Sequence, residues 1–337
     1  MMSSIAELFF SLIIILIAAE IFTNALEHLG QKLRLSQGVT GSLFAAVGTA
    51  LPETIVPLLA IISGPTLSSH SEEIGVGAIL GAPLMLSTLS IFLMGAAVIG
   101  KRGSAGKINP EPSGFQRDTG FFLVAFILAT LAMYIPHDKT LYRQIISVIL
   151  VLLYLLYVYR TIKASHHLVQ EGGGTQAERP LFLSHAGLPG NFLVILMQVM
   201  LGLGILLAGA FWFITGVESA SGYFGISALL LSLIIIPVAT ELPEKVNSIL
   251  WICRGKDTLA VANITGAMVF QGTILPAIGI MLTPWEPRSE VITGVFITLT
   301  AAFWLWLAAR KKKIPVAWLG LNGLLYVLYI GISLYNQ

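Results

Sequence analysis

Charge is scarce in this chain. Only 11% of its 337 residues are Asp, Glu, Lys or Arg, against 56% hydrophobic residues, where a soluble domain carries about 25% charged residues. The deficit excludes an ordinary soluble globule and implies a polytopic membrane protein. The net charge of +2 leaves no basic face for nucleic acid. Cysteine is almost absent: the single Cys253 excludes an internal disulfide and any cysteine metal cluster. No Lys or Arg precedes the first apolar run, so that run reads as a span rather than a cleaved leader. A histidine metal motif is also missing, because His70, His166, His167 and His185 fall in expected loops without ligand spacing. There is no His-Glu-x-x-His pattern, Ser/Lys dyad or phosphate-binding loop.

What is present is a series of long apolar runs. Ten are expected to cross the membrane, at about 5–24, 38–63, 74–99, 119–135, 141–162, 191–214, 225–252, 258–283, 290–309 and 315–335, each long enough for about 30 Å of hydrocarbon. The second, third, seventh and eighth are rich in Gly, Pro, Ser and Thr and form an expected working core. The fourth, fifth, ninth and tenth are plainer and form an expected jacket. Fifteen of the nineteen basic residues fall in the loops after odd-numbered spans. Three, Lys139, Arg143 and Arg288, fall on the other side, and Lys245 lies inside the seventh span. Positive charge is retained on the cytoplasmic side, so this bias puts both termini outside. The expected location is the plasma (inner) membrane, and Arg310 to Lys313 read as a stop-transfer anchor.

The polar stretch 163–190, with Gly172-Gly173-Gly174, reads as a flexible cytoplasmic linker. It divides the chain into a first five-helix repeat at 1–162 and a second at 191–337. An odd number of spans per half makes the two halves inverted with respect to each other.

Two stretches support the repeat. Thr49-Ala50-Leu51-Pro52-Glu53 matches Thr240-Glu241-Leu242-Pro243-Glu244 at four of five positions. Downstream, Ala78-Ile79-Leu80-Gly81-Ala82 matches Asn263-Ile264-Thr265-Gly266-Ala267 at three of five. Each first stretch puts a carboxylate in mid-membrane, where a charge costs at least about 2.5 kcal/mol and marks function. Each also has a proline that frees a backbone carbonyl one turn earlier. Glu53 and Glu244 therefore read as a facing pair able to hold a hard cation or exchange a proton, or else as structural residues bonded to nearby backbone. Gly77 and Gly81 read as close-packing positions. Asn263, Thr265, Gln271 and Thr273 are neutral oxygen donors, for an ion or for interhelical bonds. Lys245, one turn after Glu241, can pair with it or point toward the headgroups. Glu20 reads as an interfacial residue.

These motifs resemble the two signature repeats of the calcium:cation antiporter superfamily, which includes the sodium/calcium exchangers. That family's pattern is Gly-Thr-Ser-Leu-Pro-Glu, then Gly-Asn-x-x-Gly-Ser-Asn-x-x-Asn/Asp on the next helix, in each half. Here the first motif runs Gly48 to Glu53 and Ala239 to Glu244, and the second runs Gly77 to Leu86 and Ala262 to Gln271. The resemblance implies ten helices in two inverted repeats, with the second, third, seventh and eighth around the ion sites and the first and sixth sliding across them. It implies Glu53, Glu244, Thr49, Thr240, Gln271, Asn263 and Glu241 as ion-site residues, with Lys245 compensating charge. The family's serines are Ala50, Glu241, Ala82 and Ala267 here, and the closing amide of the first half is Leu86. Most hydroxyl ligands for sodium are thereby replaced.

The expected function is secondary cation antiport by alternating access, moving Ca2+ or another cation against Na+ or H+ within the lipid bilayer. No cofactor beyond the transported cation is expected, and the oligomeric state stays open. The Glu241–Lys245 pair favours proton over sodium coupling, because a tethered ammonium can stand in for a bound sodium ion. The alternatives are a transport-inactive exchanger fold with a binding or sensory role, and an intramembrane enzyme using the paired carboxylates.

Overall fold

The computed structural model describes residues 2–33, 53–54, 57–58, 61–62, 71–170, 177, 179–224, 233, 237, 241–311 and 313–335. In chain order the helices are α1 (Met2–Lys32), α2 (Ser71–Met85), a π-helical turn (Leu86–Ser90) leading into α3 (Ile91–Arg102), α4 (Pro112–Ala132), α5 (Thr140–Gln170), the short α6 (Phe182–His185), α7 (Phe192–Phe224), α8 (Leu242–Cys253), α9 (Asp257–Leu282), α10 (Ser289–Ala308) and α11 (Val316–Tyr335). The described residues at 53–54, 57–58 and 61–62 are helical. The rest of the expected second span, and the first part of the seventh, lie outside the described residues.

Among the described residues, seven helices are long and apolar enough to cross a membrane: Ile13–Lys32, Glu72–Arg102, Pro112–Ala132, Thr140–Ala164, Asp257–Leu282, Ser289–Ala308 and Val316–Ser333. They fall on expected spans with shifts of a few residues. Four boundaries differ more. α1 runs to Lys32 rather than 24, α4 begins at Pro112 rather than 119, and α7 runs to Phe224 rather than 214. The fourth is the end of α5. α5 runs to Gln170, past the expected end at 162, and takes His166 and His167 into a helix rather than a loop. Hydropathy marks where the chain leaves an apolar environment. Lys163, Ala164 and Gln170 are good helix formers and carry the helix further.

Local signals set the ends. Pro112 occupies the first turn of α4, and the Glu111 carboxylate caps it by accepting from Ser113 N at 2.7 Å and Gly114 N at 2.6 Å. α3 stops at Gly103, whose φ of +78° suits glycine.

α9 lies at the centre. It is apolar or small on nearly every face, as a helix enclosed by protein must be, and it is buried along almost its whole length. α2, α4, α5 and α8 pack around it. α5 is the opposite case, with Leu141, Ile145, Val148, Leu152 and Leu155 all exposed, as the jacket expectation has it. α4 is less plain than expected, because it carries the buried Asp118.

Arginines fix both ends of α9. At one end Arg102 grips Asp257 through two bonds of 2.9 and 2.6 Å, and Asn109 N adds a third at 2.8 Å. At the other end the buried Arg143 guanidinium donates to the carbonyls of Ile280, Thr283 and Pro284 at 2.5–3.1 Å. Those carbonyls belong to the last turn and the chain just beyond it, where helix acceptors lack internal partners.

The contacts sort the loops into two groups. At one end the strand Lys107–Ile108 pairs antiparallel with Ile314–Pro315, Arg102 meets Asp257, Trp251 meets Glu27, and Arg179 meets Glu20. All of these loops follow odd-numbered spans. At the opposite end Arg143 meets the C-terminus of α9, and Arg288 meets Glu73 at 2.7 Å. The bonded Glu73 carboxylate raises the Arg288 pKa. Helices that cross alternately give this sorting.

α1 and α7 form a pair of their own. They run antiparallel and pack chiefly on each other, and α1 reaches the rest of the described molecule mainly through α8. A Cβ at Gly202 would lie 2.9 Å from Phe22 Cβ, and one at Gly209 would lie 2.9 Å from Ile15 Cγ1. The two glycines therefore let the helices approach closely. Asn24 and Gln198 lock one end of the pair with a 2.8 Å bond. Together they also accept from the amides of Phe182 and Leu183 at 3.0 and 2.9 Å.

Candidate ion site

The second acidic motif is described from Glu241 onward. Glu241 N donates to Pro237 O, and Lys245 N donates to Glu241 O, each at 3.1 Å. Pro243 falls in the first turn of α8, where its missing N–H costs no bond. Glu241, Glu244 and Lys245 are then displayed within one turn, at 0%, 0% and 3% exposure. Lys245 does not point toward the headgroups. Its Nζ lies 3.4 Å from Glu241 Oε2 and donates to Pro237 O at 3.1 Å.

Glu53 comes from the first motif and is also buried, at 2% exposure. It lies within electrostatic reach of Glu244, Glu241 and Lys245. Three carboxylates and one ammonium from the two halves of the chain thus share one buried region. Both Glu53 carboxylate oxygens lack a hydrogen-bond partner among the described residues.

α9 lies beside this group. The Asn263 amide donates to Glu244 O at 3.3 Å and to Ser248 Oγ at 3.2 Å, while Ser248 Oγ donates to Ala260 O at 3.1 Å. These bonds zip α8 to α9 and leave Asn263 Oδ1 without a partner among the described residues. Gln271 lies about 12 Å further along the helix by its rise of 1.5 Å per residue, fully buried, and neither of its amide atoms has a partner among the described residues. The other two neutral donors are committed elsewhere. Thr265 donates to Asp118 Oδ2 at 2.8 Å and to Val261 O at 3.0 Å, and Thr273 donates to Val269 O at 2.6 Å. Thr49 and Thr240 lie outside the described residues.

α2 closes against the chain before Glu241. A Cβ at Gly81 would lie 2.4 Å from Leu233 O and 2.7 Å from Pro237 Cγ, so only glycine permits this approach. At Leu86, the closing position of the second motif of the first half, the π-helical turn Leu86–Ser90 begins and interrupts the helix, a feature common at functional sites. Thr88 and Ser87 hydroxyls return to Leu84 O, and Asn322 of α11 donates to Ser87 O at 2.6 Å.

Among the described residues, oxygens without a hydrogen-bond partner include those of Glu53, Asn263 Oδ1 and Gln271 Oε1. These are hard donors of the kind that Ca2+ and similar cations take. Among the described residues, no three acidic, histidine or cysteine side chains converge into a closed metal cage. Buried carboxylates beside amide oxygens can bind a cation reversibly, with Lys245 offsetting one negative charge. Sequence reasoning did not reach Asp118 and Arg143. Both lie next to a span boundary and read there as loop charges.

Comparison with known proteins shows the family and the fold. A family model described as sodium/calcium exchanger protein matches residues 3–163 and 194–335. The inner membrane protein YrbG of Escherichia coli is 23% identical over 345 residues, covering 94% of this chain and 99% of that protein. The putative antiporter CaxA of Alkalimonas amylolytica is 24% identical over 278 residues, covering 81% and 79%. Among solved structures, the H+/Ca2+ exchanger CAX superposes with a TM-score of 0.76 at 16% identity, over 97% of this chain and 81% of that one. The sodium-calcium exchanger NCX_Mj superposes with a TM-score of 0.67 at 20% identity, over 97% of each.

Proposed function

The chain belongs to the sodium/calcium exchanger protein family, and we propose that it is a secondary active antiporter that moves cations by alternating access through a buried site built on Glu53 and Glu244. Its relatives are named as an antiporter and as exchangers, which supports cation antiport and speaks against an enzyme. The ten spans divide into inverted repeats at 1–162 and 191–337 joined by 163–190, with both termini outside.

One observation carries the site: Glu53 and Glu244, matched in the two half-chain motifs, are both buried and within electrostatic reach of each other. Two carboxylates of this kind in an apolar interior are costly unless a bound cation or a proton neutralises them. Thr49, Thr240, Asn263, Gln271 and Glu241 complete the proposed ligand set. Lys245 supplies a fixed positive charge next to Glu241. Its burial supports proton over sodium as the driving ion, because the place of one cation is already filled.

The test is flux in reconstituted liposomes across a panel of cations and imposed gradients. Glu53→Gln and Glu244→Gln are each expected to abolish exchange while leaving a folded, extractable protein. Normal flux in either variant refutes the site. Absence of gradient-driven flux for every cation tested refutes antiport in favour of a binding or sensory role.

A further inference from the structure

The antiporter reading leaves the basic end of α10 unused. As a topological anchor, the run from Arg310 to Lys313 needs only charge. The structure gives these cations a defined setting as well. The Arg310 guanidinium lies over the Trp306 ring, 4.0 Å from its centroid, and Lys311 Nζ lies over the Trp318 ring at 3.8 Å. Trp318 is itself fixed. Trp304 stacks on it with centroids 4.4 Å apart, and the Trp304 indole N–H donates to Trp318 O at 2.8 Å. Lys107 and Lys313 are brought to the same corner by the ribbon, where Ile108 pairs with Ile314. Both isoleucines are buried, while Lys107, Arg310, Lys311 and Lys313 are all exposed. Gln116 Nε2 donates to Ala309 O at 3.0 Å and ties α4 to this corner.

Elsewhere in the chain cations find partners: Arg102 meets Asp257, Arg179 meets Glu20, Lys245 meets Glu241 and Arg288 meets Glu73. Among the described residues, none of the four at this corner is paired with a carboxylate. Like charges gathered without a counter-charge repel one another, so an anion from outside is the group they suit. A guanidinium lying on an indole can still turn its N–H fork to an oxyanion, and phosphate fits that fork.

α10 says where the anion comes from. Ile292, Phe296 and Phe303 are exposed at 42%, 69% and 51%. Steps of four and seven residues keep them on one face, and a further step of seven reaches Arg310 just past the helix end. From Ile292 to Arg310 the helix rise gives about 27 Å, close to the roughly 30 Å of a bilayer's hydrocarbon. The apolar face therefore ends in a cation at headgroup depth, with indoles beside it as at membrane interfaces generally. A phospholipid meets both parts of this surface; a nucleic acid or an acidic peptide meets only the charge.

We propose that the corner formed by the ends of α10 and α11 and the ribbon binds the headgroup phosphate of an anionic phospholipid, whose acyl chains lie along the exposed face of α10. Arg310 and Lys311 are the principal contacts, held in place by Trp306 and Trp318. Lys107 and Lys313 add to the attraction. The inference does not depend on which ion moves, or on whether any does.

Native mass spectrometry of the detergent-purified full-length protein, titrated with phosphatidylglycerol or with phosphatidylcholine of the same chains, tests it. Phosphatidylglycerol is expected to bind at least several-fold more tightly. Arg310→Gln with Lys311→Gln is expected to weaken it about tenfold or more, at about fivefold per basic residue. The control is Arg160→Gln with Lys163→Gln, which removes the same charge from exposed positions of α5 at the same end of the bundle. That variant is expected to bind within twofold of the unaltered protein. Equal binding of the two lipids by the unaltered protein overturns the proposal, and that comparison needs no variant to fold. An equal loss in both double variants overturns it in favour of general attraction to charge. Displacement of the bound lipid by millimolar inorganic phosphate overturns it in favour of a free anion. None of these outcomes bears on ion flux, so the antiporter reading stands or falls separately.

Discussion

Lys245→Met removes one half of a buried ion pair. The two side chains are 3% and 0% exposed and their charged atoms are 3.4 Å apart. With an effective dielectric constant of about 20, unit charges at this separation attract by about 5 kcal/mol. That gross attraction is opposed by the loss of hydration of both ions, so the intact pair adds little net stability. Removing one partner is different, because Glu241 stays behind as an uncompensated buried charge. The expected cost is about 3–5 kcal/mol, with a smaller loss from the Pro237 carbonyl that Nζ also bonds. At about 2–4 °C per kcal/mol, the melting midpoint of the detergent-purified protein should fall by roughly 6–20 °C, followed by tryptophan fluorescence. Adding Glu241→Met should recover at least half of the loss, since the charge that needed compensation is gone. A single variant that melts within about 2 °C of the unaltered protein, a shift worth less than about 1 kcal/mol, refutes the buried pair. A double variant no better than the single refutes the coupling. The same residues test the driving ion. Lys245→Ala should gain sodium dependence or lose coupling, and Glu241→Ser should partly restore activity. Unchanged ion dependence in both variants refutes the role of the tethered ammonium.

Three further outcomes are expected. Both termini should label from outside, and a protease should cut the 163–190 segment only from the cytoplasmic side; cleavage in intact cells refutes the orientation. Arg143→Met should cost about 3–5 kcal/mol, the penalty for uncovering several carbonyls that a buried charged donor satisfies, and Arg143→Lys should restore part of it; equal melting of all three proteins refutes the capping role. Gly81→Ala drives a Cβ into Leu233 O at 2.4 Å, an overpacking cost of about 1–3 kcal/mol or more, and should lower both stability and flux; wild-type behaviour refutes the close approach.

The sequence revealed most where burial and membrane thickness constrain it together. Apolar runs of spanning length located the helices, because the hydrocarbon permits few alternatives to a helix. The charges inside those runs pointed to Glu53, Glu241, Glu244 and Lys245 for the same reason. Charges at span boundaries were opaque. Arg143 is one residue among the three on the sparsely charged side and reads as a loop cation, yet it is enclosed by carbonyls more than 130 positions away in the chain. Asp118 stands one residue before the expected span at 119–135, where a charge carries no signal of burial, and it is bonded by Thr265 from another helix. The end of α5 was misplaced because hydropathy reports the surroundings and helix propensity reports the backbone, and the two part company after Ile162. The hydroxyls of Thr265 and Thr273 show a related limit. Spacing put them on the right helix, but their bonds depend on neighbours that no local pattern names.

The close fit between α1 and α7 has a mechanical consequence. With Gly202 against Phe22 and Gly209 against Ile15, sliding one helix along the other would carry side chains into gaps that admit only a hydrogen atom. The two helices are therefore geared together and can be displaced only as a single beam. Against the remainder of the described molecule that beam rests on α8, where the Trp251 indole N–H holds the Glu27 carboxylate at 3.0 Å. α9, clamped by arginines at both ends, is the anvil behind it. Displacing the beam from α8 breaks, among the described residues, this hydrogen bond to a charged group, about 1.5–3 kcal/mol. Shearing the pair apart would break a whole seam.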